Sequence, residues 1–236
     1  MREGLYDPRR VAEGVERVVC RGEERKYYRF RASRFYGGSA VADTVGCNLN
    51  CVFCWVDFPR THIRRVGSFH SPADVLRRLS SIASSRGFGY IRLSGGEPTL
   101  CRDHLLSLLS LPRKQVFILE TNGTLLDEDL VSALSGVRGL HVRVSLKGSS
   151  PAEFSRLTGA IPEAYEWVFR GIGLLKEYGV PHHVSLVHWF SESRELVEVL
   201  ARLDSMGERV ELESFIPYPK VVERLRRAGI ELKRRF

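Results

Sequence analysis

No stretch of about 18 consecutive apolar residues occurs in this sequence, so no membrane-spanning helix is expected. The opening Met1-Arg2-Glu3-Gly4-Leu5-Tyr6-Asp7-Pro8 has no apolar core of the kind a secretory leader needs, and a cytoplasmic location is the expectation. Low-complexity linkers and short-period repeats are also missing, so one domain accounts for the 236 residues. Cysteine is scarce. There are five, three of them clustered, with Cys20 and Cys101 alone. Without a leader they do not suggest a disulfide framework, and a reducing cytoplasm would keep all five as thiols or thiolates. Cys101 reads as a small buried residue.

A recognisable nucleic-acid motif is absent too, although the net charge is +8. The surplus sits at the ends. Residues 1–39 carry ten Lys/Arg against six Asp/Glu, and residues 220–236 carry seven against two, while the remainder is nearly balanced. Such ends can meet nucleic acid, a phosphorylated substrate or an acidic partner. A solvated surface laced with ion pairs is the favoured reading, and nucleic acid is possible but not favoured. Hydrophobic residues at 43% and charged residues at 27% are ordinary for a globular chain.

Residues 1–37 read as an N-terminal extension. It holds a helix over Pro8–Val19, an edge strand or hairpin arm over Arg25–Arg31, and a turn at Tyr36-Gly37-Gly38. From residue 38 to 236 strand-like runs alternate with amphipathic helices. The strands are expected at Ala40–Thr44, Tyr90–Ser94, Gln115–Glu120, His141–Leu146, His183–Val187 and Val210–Ile216. Ser71-Pro72-Ala73-Asp74 opens a helix that Gly87 ends, and Ser150-Pro151-Ala152-Glu153 has capping-box spacing. Further helices are expected around Arg102–Ser110, from Asp127, over Glu163–Tyr178 and Glu195–Met206, and as a basic helix from Lys220. The class is therefore α/β, a parallel sheet with helices outside. Right-handed crossovers would curl the sheet into a barrel or leave it open and doubly wound, and pattern alone does not choose.

The densest chemistry lies in Cys47-Asn48-Leu49-Asn50-Cys51-Val52-Phe53-Cys54. Three thiols in a C-x3-C-x2-C spacing are a strong metal-site signal. Iron–sulfur clusters usually take four cysteines, so a cluster held by three leaves one iron open. An open coordination position separates catalytic from structural metal sites, a logic best documented for zinc.

Functional loops of parallel α/β folds follow the C-terminal ends of strands. Polar or glycine-rich clusters fall there repeatedly: the cysteines, Ser94-Gly95-Gly96-Glu97-Pro98-Thr99, Glu120-Thr121-Asn122-Gly123, Ser145-Leu146-Lys147-Gly148 and Pro217-Tyr218-Pro219. Cys47–Cys54 together with Gly95-Gly96-Glu97-Pro98 resembles the radical S-adenosylmethionine (SAM) superfamily over about residues 38–219. The resemblance implies a partial (β/α)6 TIM-type barrel behind a short N-terminal extension. It also implies a [4Fe–4S] cluster on Cys47, Cys51 and Cys54, whose open iron chelates the amino and carboxylate groups of SAM. The expected chemistry is reductive cleavage of SAM to a 5′-deoxyadenosyl radical, which abstracts hydrogen from an unidentified substrate. A ferredoxin or flavodoxin would donate the electron. Phe53 would pack near the adenine, and Gly95 and Gly96, lacking Cβ, would let backbone approach a ligand. Glu97 is an acceptor suited to the methionine ammonium.

Finer similarity points to glycyl-radical-enzyme activating enzymes, an oxidoreductase type. Glu120-Thr121-Asn122-Gly123 is similar to their Asp-Thr-Asn-Gly segment, and Ser145-Leu146-Lys147 resembles their Asp-x-Lys, whose lysine contacts SAM. Phe215-Ile216-Pro217-Tyr218 is similar to their Leu-Leu-Pro-Tyr-His ending. Ser145 replaces the aspartate, and Pro219 stands where that group has a SAM-contacting histidine. Trp55 is shared with some of these and with the tRNA wybutosine-forming radical enzymes. The resemblance gives Phe53, Gly95, Gly96, Glu97, Asn122, Ser145 and Lys147 as the cofactor-binding set, with no catalytic residue assigned. His188 is a candidate substrate contact, as are Asp57, Arg60 and Arg64 unless their loop is simply solvated. Of His182 and His183, one is expected to point inward. Little sequence follows the sixth strand, so a wide mouth and a macromolecular substrate are expected, with RNA or a small molecule as alternatives. From a different class, a zinc-stabilised nucleic-acid-binding protein would place His62 with the three thiols.

Overall fold

The computed structural model describes residues 4–230. Lys233, Arg234 and Arg235, part of the basic C-terminal end, lie outside the described residues. The strands are β1 (Cys20–Arg21), β2 (Glu24–Ser33), β3 (Ser39–Thr44), β4 (Ser68–His70), β5 (Tyr90–Gly95), β6 (Val116–Thr121), β7 (Leu140–Leu146), β8 (His182–Val187) and β9 (Val210–Glu213). The helices are α1 (Pro8–Val19), α2 (Asp57–Thr61), α3 (Pro72–Arg86), α4 (Arg102–Ser110), α5 (Glu128–Ser135), α6 (Pro151–Thr158), α7 (Glu163–Glu177), α8 (Ser193–Ser205) and α9 (Pro219–Arg227).

One sheet runs β1-β2-β3-β5-β6-β7-β8-β9, with β4 paired to β2. From β3 to β9 every ladder is parallel. The order never reverses. A doubly wound sheet turns back on itself at a switch point, whereas a monotonic order with helical crossovers curls in one direction, as barrel strands do. The sheet is therefore a partial TIM-type barrel. Its path ends at β9 without returning to β1 or β2 among the described residues.

Side chains alternate across each strand. Ile91 and Leu93, Phe117 and Leu119, Val142, Val144 and Leu146, and Val184 and Leu186 are buried in the main apolar core. Burying each such side chain contributes roughly 1.5–3 kcal/mol. The intervening positions Arg92, Ser94, Glu120, Arg143 and Ser145 line a cavity on the opposite face. The helices start where their caps dictate. Ser71 Oγ accepts from Asp74 N at 3.3 Å, Asp127 Oδ1 from Leu130 N at 3.0 Å, and Ser150 Oγ from Glu153 N at 3.1 Å. Gly87 ends α3 with a φ of 67°.

One expectation is met and one changes. The segment Arg25–Arg31 belongs to β2, a hairpin arm whose Arg25–Tyr27 end is covered by β4 and whose Arg29–Arg31 end pairs, among the described residues, with β3 alone. Cys20 and Cys101 are not free thiols. They form a disulfide with a Cα–Cα distance of 5.7 Å across 81 residues of sequence. Sequence distance concealed the contact. α1 packs its Ala12, Val15 and Val19 against Val45 and Leu100, and both cysteines join that small apolar cluster.

Candidate active site at the cysteine rim

The loop after β3 carries the three free cysteines, and it is held from four sides. Gly96 N donates to Thr44 O at 2.9 Å, and Glu97 N donates to Gly46 O at 2.8 Å. A Cβ on Gly96 would stand 1.9 Å from Gly46 O, and one on Gly95 2.7 Å from Thr44 N. The close approach expected of these glycines is thus to the cysteine loop's own backbone. From the N-terminal segment, Tyr6 Oη accepts from Asn50 N at 2.7 Å and donates to Thr158 O at 3.0 Å. From α9, Arg224 donates through Nε to Val52 O at 3.1 Å and through Nη2 to Cys54 O. From the β6 loop, Asn122 Nδ2 donates to Asn48 Oδ1 at 2.8 Å and lies 3.9 Å from Cys47 Sγ.

A cavity of about 700 Å³ opens in front of this loop. All ten residues that the resemblance assigns to cluster and cofactor line it: Cys47, Cys51, Cys54, Phe53, Gly95, Gly96, Glu97, Asn122, Ser145 and Lys147. Their partners differ. Glu97 is 1% exposed. Its Oε1 accepts from Thr99 N at 3.1 Å and from the Thr99 and Thr121 hydroxyls at 2.7 Å each. Among the described residues its Oε2 accepts only from Asn122 N, at 2.8 Å. A carboxylate offers about four acceptor positions, so Oε2 keeps one for a ligand ammonium. Asn122 is fully engaged as a strut, its Oδ1 accepting from Thr124 N at 3.0 Å and Thr124 Oγ1 at 2.6 Å. Lys147 Nζ lies 5.9 Å from the Phe53 ring centroid. Phe53 also packs against Phe190, with ring centroids 5.4 Å apart.

Other candidates fall away from the cavity or at its margin. His188 and Arg64 do not line it, and Arg60 does. Asp57 is held by Arg60 at 2.6 Å and by Arg224 at 2.8 Å. Pro219 is the first residue of α9, where a fixed φ and a missing N–H suit the helix start. The cavity is lined by the preceding Tyr218 instead. Of the two adjacent histidines, His183 faces its neighbour, 2.7 Å from His141 Nε2 and 3.2 Å from Glu211, while His182 meets Glu208 at 2.9 Å.

Sequence reading missed three groups. Arg25, with no exposed surface, donates to Glu97 O at 2.7 Å, Pro98 O at 3.2 Å and Val45 O at 3.5 Å. It ties the two rim loops together beneath the cavity, although burial depresses its pKa. Asn48 is the second. The third is the cavity's far wall, where Asp43 holds Arg29 and Arg31 at 2.7 Å each. Beside them Arg92 pairs with Glu120 at 3.3 Å, and Arg143 with Glu211 at 3.0 Å and Glu213 at 3.3 Å.

The donor set fits an iron–sulfur cluster: Cys47, Cys51 and Cys54 are free thiols and all three line the same cavity. Burial raises the Cys47 and Cys51 thiols, the latter to about 11, with Lys147 pulling Cys51 back down. Metal ligation deprotonates such thiols. The zinc arrangement is not assembled, because His62 stacks on Phe58 with centroids 4.3 Å apart and lines no part of the cavity.

A family model described as the Radical SAM superfamily matches residues 41–203. The chain is 28% identical over 175 residues to a probable GTP 3′,8-cyclase of Pyrobaculum aerophilum, covering 72% of this chain and 55% of that relative. It is 28% identical over 214 residues to a probable GTP 3′,8-cyclase of Thermococcus kodakarensis, covering 83% and 67%. Among solved structures it is similar in fold to Streptococcus suis SuiB, with a TM-score of 0.61 and 19% identity over 81% of this chain and 41% of that one. It is similar also to anSMEcpe with bound AdoMet, with a TM-score of 0.53 and 24% identity over 72% and 47%. The chain spans from about two fifths to two thirds of these proteins. No helix among the described residues is long and apolar enough to cross a membrane. On the family match and the donor set together, the chain belongs to the Radical SAM superfamily, whose cofactors are a [4Fe–4S] cluster and S-adenosylmethionine.

Proposed function

We propose that this chain holds the cluster through Cys47, Cys51 and Cys54 and positions SAM between Phe53, the Gly95–Glu97 loop and Lys147. The supporting observation is that all of these residues line one cavity of a size that suits a small-molecule site. A cluster held there would supply the single electron needed for reductive cleavage of SAM and so for hydrogen abstraction from substrate. The chain's own residues do the rest. Glu97 Oε2 receives the ammonium, Phe53 packs on the adenine, and Lys147 places positive charge beside Cys51. The substrate lies against the paired arginines and carboxylates of the far wall.

The two cyclase relatives make GTP the first substrate to assay. The far wall favours a polar substrate with both donors and acceptors over a bare polyanion. Arg29 and Arg31 share Asp43, and Arg92 and Arg143 meet Glu120, Glu211 and Glu213, so a triphosphate would have to displace carboxylates. The activating-enzyme reading rests on fewer residues, since Ser145 has no carboxylate and Pro219 opens a helix.

Anaerobic reconstitution with iron and sulfide, followed by SAM and dithionite, tests this. The expected result is a brown protein that releases 5′-deoxyadenosine, with cluster and product both lost in Cys51→Ala. A colourless zinc protein, or full product formation by that variant, would overturn the assignment. Deuterium transfer from labelled GTP into 5′-deoxyadenosine would identify the nucleotide as substrate, and its absence would remove it.

A further inference from the structure

Arg25 is a cation that the fold buries without giving it an acid. It has no exposed surface, and its three hydrogen bonds all go to main-chain carbonyls, those of Glu97, Pro98 and Val45. Among the described residues its Nε has no partner. Its strand holds it in place from both sides. Arg25 stands opposite Cys20 of β1 and opposite His70 of β4. The disulfide from Cys20 to Cys101 anchors the end of the Pro98–Leu100 turn to the same hairpin. A charge taken out of water needs opposite charge nearby, because dry surroundings neither solvate nor screen it. The carbonyls supply dipoles only. Two of them mark where opposite charge would stand, since Val45 precedes Cys47 by two residues and Glu97 carries the carboxylate of the rim.

We infer that Arg25 is the buried counter-charge of the site, favouring the reduced state of a cluster held by Cys47, Cys51 and Cys54 and so setting the potential at which it accepts an electron. The inference rests on the reading of those thiols as ligands. Three thiolates bring negative charge, and reduction by one electron adds more. That electron comes from a low-potential donor such as dithionite, which is oxidised in turn; no bond is made or broken and no proton moves. Fixed positive charge in a dry setting favours the added electron. Burial lowers the Arg25 pKa, while Tyr27, Glu97 and Cys47 pull it back, so this charge is felt at both rim loops. A guanidinium starts high enough to remain protonated at neutral pH. Lys147 also acts on Cys51, but it lines the cavity, where water and ligand enter. Arg25 touches no reacting atom and acts through its field.

The test compares Arg25→Gln, which keeps hydrogen-bond donors and loses the charge, with Arg25→Lys, which keeps the charge and loses the guanidinium fork. Each protein is reconstituted anaerobically with iron and sulfide. The cluster's midpoint potential is then read by electron paramagnetic resonance during a dithionite titration without SAM. At the wild-type midpoint the ratio of reduced to oxidised cluster should fall about tenfold in Arg25→Gln, equivalent to about 59 mV for one electron. In Arg25→Lys it should stay within about threefold of wild type. Denaturant midpoints of the apo-proteins and iron per chain are measured alongside, because a mere strut would rank the variants by stability and not by charge. Equal shifts in both variants, or no shift in Arg25→Gln, would overturn the proposal. Where Arg25→Gln takes up no cluster, Arg25→Lys decides: a potential near wild type supports the counter-charge, and a tenfold drop or a failure to load overturns it. A wild type that takes up no cluster would instead fault the ligand reading, and the counter-charge would fall with it.

Discussion

The side-chain amide of Asn122 donates to the side-chain carbonyl of Asn48 at 2.8 Å, joining two loops 74 residues apart. Asn48 in turn donates to Thr124 Oγ1 at 2.8 Å and to Pro8 O at 3.3 Å. Both asparagines are buried, so the bridge sets the cysteine loop against the β6 rim by polar contacts that solvent does not share.

Asn48→Ala should therefore destabilise the apo-protein by about 1–3 kcal/mol, because it strips partners from buried Asn122 and Thr124. Iron retained after reconstitution should fall with it. Denaturant midpoints and iron per chain are the measurements. Wild-type stability would mean that the loop is positioned by its backbone contacts alone.

Glu97→Gln replaces one acceptor oxygen with an N–H2 group that must face a donor from Thr99, Thr121 or Asn122. A loss of about 1.5–3 kcal/mol is expected, the range for hydrogen bonds to a charged group. SAM affinity should drop in the same variant. Weaker SAM binding at full stability would assign Glu97 to the ligand and not to the rim.

His104 lies 2.7 Å from Glu23 O through Nδ1 and 2.7 Å from Tyr27 Oη through Nε2. A carbonyl only accepts, so Nδ1 carries the proton and Nε2 accepts from Tyr27. Burial pushes this histidine down to about 4, against about 6.5 in an unfolded chain. Between those values the unfolded state binds the extra proton. Stability is then full above pH 6.5 and declines as pH falls toward 4, by up to about 1.4 kcal/mol per pH unit. His141, lowered to about 4 by burial and by His183, adds a slope of the same sign. His183, also lowered by burial, acts in the same direction, so His104→Gln should lose only the His104 part of the slope and keep that of His141 and His183, which urea titrations across this range would reveal.

Denatured, unreduced apo-protein should titrate three thiols, not five, because Cys20 and Cys101 are paired. Reduction should destabilise the fold by roughly 2–4 kcal/mol, as expected for a cross-link closing a long loop. Five titratable thiols before reduction would return both cysteines to the free state first expected.

Period and punctuation carried the fold a long way. Six parallel strands, their helices and the rim loops were legible because caps and turns mark their own positions. Pattern alone did not choose barrel against open sheet, since strand order is a property of pairing, and it was the resemblance carried by Cys47–Cys54 and Gly95–Pro98 that pointed to the barrel. The site divided along the same line. Cys47, Glu97 and Lys147 sit in loops with distinctive spelling, whereas Arg92 and Arg143 look like ordinary strand charges. Each is flanked by buried aliphatics, Ile91 and Leu93 or Val142 and Val144, and that alternation was the available signal for a polar barrel interior. Arg224 offered no signal at all, because its grip on Val52 and Cys54 spans about 170 residues.

The fit of Gly96 against Gly46 has a consequence for motion. Where a single methyl would stand 1.9 Å from the Gly46 carbonyl oxygen, no side chain cushions the two loops. Neither can swing without breaking the bonds from Gly96 N to Thr44 O and from Glu97 N to Gly46 O. The cysteine loop and the glycine loop are one cooperative unit, and their amides should exchange with solvent in a single joint opening rather than in two.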